Sequence, residues 1–215
     1  MLGVVKAEKK KVVVIQPFGS TAQHSELGIY DKSMRSFNHV FANKLVEKLS
    51  KDYLVINMNA PLLISCGTQC STGAFPNWDN IASLQPDPDL RTWAAIIQEA
   101  DYFIGCDSCG QHIARSVGTD ASVVVAGTHE VNISYPEKFH IIKKKDAKYY
   151  PNPMRVSMMN STLADKLNQN RATFTEEEMD SAIKEIIKRI ENGKRVTESI
   201  TVDVEQKKEN KGFSK

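Results

Sequence analysis

The stretch that most constrains the chain is residues 97–128, IQEADYFIGCDSCGQHIARSVGTDASVVVAGT. It opens with a short apolar run, Tyr102-Phe103-Ile104-Gly105, of the length and type expected of a buried strand. The run breaks at Asp107-Ser108-Cys109-Gly110, whose small and polar residues suit a tight turn. Asp107 and Ser108 are also good N-cap types for a helix over Gln111-His112-Ile113-Ala114-Arg115-Ser116-Val117. A second apolar run, Ser122 to Ala126, ends at Gly127-Thr128. The pattern is strand, turn, helix, strand, turn: a βαβ unit whose loops fall at the carboxyl ends of parallel strands, where open α/β sheets bind ligands. The first amides of the helix and its dipole favour an anion, most commonly a phosphate. His112 is expected about one turn into the helix, facing the same crevice.

The rest of the chain supplies parts for the same sheet. Lys11-Val12-Val13-Val14-Ile15 is a continuous β-branched segment, as in a strand covered on both faces. It leads into Gln16-Pro17-Phe18-Gly19-Ser20-Thr21, whose glycine permits close backbone approach and whose hydroxyls suit a phosphate or ribose. Residues 22–30 show no clear period and read as loop. Phe37, Val40, Phe41, Leu45, Val46 and Leu49 recur at helical spacing. Arg35 stands at the entry to that helix, where a guanidinium can clamp a diphosphate. Tyr53 to Met58 reads as a strand. Residues 59–89 are rich in Gly, Pro, Ser, Thr and Asn, too long for a simple connection, and Phe75, Trp78 and Ile81 are expected to give them a small core. A helix is expected from Pro88 to Ala100 with Leu90, Trp93, Ala94 and Ile97 on one face, then a last strand at Phe139 to Ile142. Thr175-Glu176-Glu177-Glu178 is a capping box opening an amphipathic helix, with Met179, Ala182, Ile183, Ile186, Ile187 and Ile190 as its stripe and Asn192-Gly193 as its end. The organisation expected is an extension over 1–10, one α/β domain over 11–192, and a charged, flexible tail over 193–215.

Composition removes several alternatives. With 215 residues, 41% hydrophobic and 25% charged, the chain can bury a full core. A formal net charge of +2 is too balanced to argue for nucleic acid. Lysine runs at 9–11, 143–145 and 207–208 read as solvated faces. No apolar run reaches the ~20 residues of a bilayer span, and the start MLGVVKAEKKK is too short in apolar residues for a secretory signal, so a cytoplasmic location is expected. The four cysteines form two close pairs, Cys66/Cys70 and Cys106/Cys109. Zinc on all four is disfavoured, because the spacing is imperfect and the second pair straddles the proposed ligand turn; reduced thiols and no metal or cofactor are expected.

On these residues the chain resembles the carboxyl-terminal half of the ADP-heptose:lipopolysaccharide heptosyltransferases, glycosyltransferase family nine. The resemblance lies in Gly19-Ser20-Thr21, in Arg35 and Phe37 where the family usually has Lys and Trp, in Asp107-Ser108-Cys109 with His112, in Ala114 and Gly118, and in Gly127-Thr128. It implies a single Rossmann-like domain with a parallel sheet flanked by helices, equivalent to the C-terminal half of a GT-B glycosyltransferase. It implies a nucleotide-sugar site made of Gly19, Ser20, Thr21, Arg35, Asp107, Ser108, Cys109, Gly110, His112, Gly127 and Thr128. The implied reaction is inverting hexosyl or heptosyl transfer from a nucleotide-diphosphate sugar. Cys109 replaces the glycine that lets the nucleotide approach, and Gly110 follows it. The family's amino-terminal domain, with its acceptor site and catalytic carboxylate, has no counterpart. The acceptor side and the base are therefore expected from a homo-oligomer or a partner chain, or from a residue such as Asp79 or Glu130. Two further readings stay open: a non-catalytic nucleotide-sugar-binding or scaffold domain, and a transferase acting on nucleic acid bases.

Overall fold

The computed structural model describes residues 10–19, 22–25, 28–31, 35–36, 38–58, 81–84, 89–125, 135–144 and 174–193. In chain order these residues form β1 (Val12–Gln16), β2 (Ala22–Ser25), β3 (Gly28–Asp31), α1 (His39–Leu49), β4 (Leu54–Met58), β5 (Ile81–Leu84), α2 (Leu90–Glu99), β6 (Tyr102–Cys106), α3 (Cys109–Val117), β7 (Ala121–Val125), β8 (His140–Lys143) and α4 (Glu176–Asn192). Six strands make one sheet in the order β5-β4-β1-β6-β7-β8, and every pairing in it is parallel.

The β-branched run of β1 is buried along its whole length, as are β6 and β7. Alternation divides their side chains between two cores. Val13, Ile15, Ile104 and Cys106 face α1 and α4, whereas Val12, Val14, Phe103 and Val123 face α2 and α3. Covering both faces is what a parallel sheet of such strands requires. The chain is thus an α/β fold with a doubly wound sheet, as the pattern of runs predicts.

Helix ends follow local chemistry. Asp89 caps α2 by accepting from the Arg91 amide at 3.0 Å. The capping box of α4 is formed, with Glu178 N–H donating to Thr175 Oγ1 at 3.2 Å and Thr175 N–H to Glu178 Oε2 at 2.8 Å. Lys44 of α1 reaches Glu176 and Asp180 of α4 at 3.1 and 2.8 Å. At the opposite end of α4, Lys11 Nζ donates to the Ile190 carbonyl at 2.6 Å and Tyr53 hydroxyl bonds Glu191.

Three expectations need correction. Residues 22–30 contain the antiparallel hairpin β2-β3, with Ala22 opposite Asp31; its strands are only four residues long and pair with each other alone, which leaves no long alternation to read. The long segment over residues 59–89, in which no strand is read, contains β5, an edge strand with Ile81 in register with Val55 of β4. Val40 and Leu90 are 49% and 59% exposed, because each lies in the first turn of its helix, beyond the rim of the core. Asn192-Gly193 ends α4 as expected, with Gly193 at φ −62°; at the end of α3 Gly118 supplies a left-handed turn at φ 79°. The extension over 1–9 and the tail from 194 lie outside the described residues, as do Phe75 and Trp78. Among the described residues no helix is long and apolar enough to cross a membrane.

A polar chain crosses the sheet near the amino ends of its strands. Tyr102 hydroxyl lies 2.8 Å from Ser122 Oγ, which lies 3.1 Å from His140 Nδ1. Burial pushes the Tyr102 phenol up to about 12. Burial, aided by Arg189 and opposed by Glu185, holds the His140 imidazole below its usual value of 6.5. The folded state therefore resists protonation of His140, and the stability that this represents is lost as pH falls below 6.5. It also resists ionisation of Tyr102, so stability is lost as pH rises above 10.0. Urea unfolding across pH should show a plateau between these limits. His140→Gln should flatten the acid limb; an unchanged acid limb would show that His140 does not set it.

Candidate functional site

The sheet order changes direction between β1 and β6, which lie side by side with Gln16 opposite Gly105. Their chains leave the sheet in opposite senses, β1 toward α1 and β6 toward α3, the topology that in open α/β sheets forms a crevice above the carboxyl ends of the strands. This is the switch point at which open α/β sheets hold ligands. The loops that carry Gly19 and Asp107 are the two that flank it.

Gln16, the last residue of β1, joins the two walls. Its Oε1 accepts from Gly110 N–H of α3 at 3.0 Å, and its Nε2 donates to Ser108 Oγ at 3.3 Å and lies 3.9 Å from Cys109 Sγ. Ser108 occupies the N-cap position of α3 but makes no side-chain cap bond; Gln16 satisfies the Gly110 amide in its place. The Ser108 amide is also used, donating to Cys106 carbonyl at 2.8 Å.

Asp107 is 4% exposed and its Oδ1 accepts from Gln111 Nε2 at 3.0 Å, one turn along the helix. Gln111 Oε1, also buried, has no hydrogen-bond partner. On the other wall, Asp31 Oδ2 accepts from Ser36 N–H and Oγ at 3.1 and 2.5 Å, and Ser36 Oγ accepts from Gly19 N–H at 2.9 Å. This chain ties the end of the hairpin to the first loop. The Cys106 thiol between the walls is pushed up, first by burial, then by Asp107 and Asp31, with Arg35 opposing. Arg35 is therefore close enough to Cys106, at the end of β6, to act on its thiol.

Seven of the predicted site residues are thus described. Gly19, Asp107, Ser108, Cys109 and Gly110 follow the ends of β1 and β6, and Arg35 is near enough to Cys106 to act on its thiol. His112 is exposed on α3, with Nδ1 3.2 Å from Tyr135 hydroxyl. Ser20, Thr21, Gly127 and Thr128 lie outside the described residues, as do Cys66, Cys70, Asp79 and Glu130. A Cβ on Gly110 would stand 2.2 Å from Gln16 Oε1 and 2.6 Å from the Phe103 ring, so the protein itself leaves no room for a side chain there. Cys109 is exposed and Cys106 buried; among the described residues no group of three or more metal-ligating side chains assembles.

Sequence reasoning passed over Gln16, Gln111, Asp31, Ser36 and Tyr135. A polar residue closing an otherwise β-branched strand was the available sign for Gln16. Nothing local marks Asp31, because the hairpin that carries it has no pattern.

No family model matches the chain, and no curated protein matches it. In shape it is similar to the E. coli ADP-heptose lipopolysaccharide heptosyltransferase II, at 13% identity over 86% of this chain and 52% of that one, with TM-score 0.45. It is similar to E. coli heptosyltransferase WaaC with ADP, at 10% identity over 74% and 44%, with TM-score 0.46. A glycosyl transferase family 9 protein of Veillonella parvula gives 12% identity over 78% and 49%, with TM-score 0.48. The chain spans about half the length of these structures, and a likeness at this level assigns no residue a role.

Gly110→Ala should destabilise the protein by about 2 kcal/mol through overpacking against Phe103 and displacement of Gln16. Urea denaturation measures it; a loss under about 0.5 kcal/mol, within the range of an ordinary surface substitution, would show that the joint yields freely.

Proposed function

We propose that the chain binds a nucleotide-diphosphate sugar in the crevice between β1 and β6 and transfers the sugar with inversion, as a heptosyltransferase-like glycosyltransferase. What supports this reading is that the Gly19 loop and the Asp107-Ser108-Cys109 turn, from distant parts of the sequence, follow the two strands of one switch point, with Arg35 near enough to Cys106 to act on its thiol.

The diphosphate would rest against the start of α3. Gln16 holds the Gly110 amide, so the anion would rely on the remaining first-turn amides, the helix dipole and the Arg35 guanidinium. The same groups would stabilise the charge that develops on the leaving nucleoside diphosphate. His112 would orient a phosphate or sugar oxygen. The base that activates the acceptor would come from a second subunit or a partner chain.

A second reading is binding without transfer, as a nucleotide-sugar-binding or scaffold domain. It is favoured by the two crevice carboxylates, Asp31 and Asp107, which are turned inward to Ser36 and Gln111. Thermal melting with a panel of adenine and uracil nucleoside diphosphate sugars tests both. At least one should raise the melting temperature, and Arg35→Ala should weaken its binding about 10- to 100-fold, the scale of a charge-assisted contact. A panel without any shift would overturn both readings. Binding with no release of nucleoside diphosphate, when acceptor sugars and cell extract are supplied, would select the second.

A further inference from the structure

Tyr135 stands at φ 72°, the only non-glycine residue at positive φ among the described residues. An L residue is strained there and stays so only where its surroundings over-determine it. They do. Its ring meets His112 edge-on at 5.8 Å between centroids and Phe139 edge-on at 5.7 Å, and the Arg115 guanidinium lies over it at 5.7 Å. Its carbonyl accepts from the amides of Lys138 and Phe139 at 2.9 and 2.8 Å, closing the turn before β8. The hydroxyl of this clamped ring is 3.2 Å from His112 Nδ1, 23 residues away in sequence.

An exposed imidazole on a helix would otherwise be free to turn and to carry its proton on either nitrogen. We propose that Tyr135 is the positioning residue of His112: its hydroxyl donates to Nδ1, which keeps the ring proton on Nε2 and holds the ring in one orientation. His112 then presents a fixed N–H donor, the form suited to an anionic oxygen. The ligand this donor serves, a phosphate oxygen at the crevice, rests on the reading given under Proposed function. Arg115, one turn along α3, holds the tyrosine ring on its other side and adds positive charge beside the same imidazole.

The positioning is measurable without any ligand. Long-range nitrogen–proton NMR at alkaline pH, where an imidazole is neutral, should find wild-type His112 as a single Nε2–H tautomer. Tyr135→Phe keeps the ring contacts and removes the donor. It should give a mixture of tautomers, and about 3- to 10-fold weaker binding of whichever nucleoside diphosphate sugar the wild type binds, the scale of one hydrogen bond. A wild-type ring protonated on Nδ1, or a tautomer ratio unchanged by Tyr135→Phe, would overturn the proposal. A tautomer shift in a protein that binds no nucleotide sugar would sustain the positioning while removing the function it was proposed to serve.

Discussion

The ring of Phe103 is the object around which the crevice is built. It fills the space that two glycines leave: a Cβ on Gly105 would come within 2.5 Å of it, and one on Gly110 within 2.6 Å. Real Cβ atoms do not approach ring carbons so closely, so β6 and the first turn of α3 can approach each other only while both positions lack a side chain. That approach puts the Gly110 amide within reach of Gln16 from the neighbouring strand. The two walls of the switch point are therefore spaced by an aromatic wedge and pinned by a carboxamide, independently of any ligand.

This construction changes what the turn motif means. Residues that look like phosphate contacts are partly engaged with the protein. The Gly110 and Ser108 amides are taken, Asp107 holds Gln111, and Asp31 organises the opposite loop through Ser36. A polar scaffold of this kind is rigid where it is satisfied. Its one buried acceptor without a partner on α3, Gln111 Oε1, stands next to the Asp107 carboxylate. His112, by contrast, is exposed on α3, with its Nδ1 in contact with the Tyr135 hydroxyl.

Much of this was legible from pattern. The β-branched run of β1, the βαβ unit over 102–125 and the capping box at Thr175 each carry local signals that agree with their tertiary setting, and each element lies within a residue or two of its expected place. The two faces of the sheet follow from simple alternation. What escaped depends on pairing across distance. β5 is four residues, Ile-Ala-Ser-Leu, too weakly β-forming to stand out from its surroundings, and it is recognisable only beside β4. The hairpin β2-β3 has the same difficulty. Gln16 and Tyr135 gain their roles from partners 94 and 23 residues away, which no window along the chain contains. Gly110 stands out in the sequence, but the Phe103 ring that excludes a side chain there is visible only in the fold.

The Lys11 ammonium closes the carboxyl end of α4 across a separation of 179 residues. It neutralises terminal carbonyls at the negative end of the helix dipole, and it ties the first strand of the sheet to the last described helix. Until α4 arrives, the face of the sheet bearing Val13, Ile15 and Ile104 lacks half its cover. A growing polypeptide on the ribosome would hold that apolar surface open until nearly the whole domain had been made. Closing such a distant contact is slow for entropic reasons, so during synthesis the domain would be exposed to aggregation until α4 docks, and would benefit from a chaperone that shields the bare face.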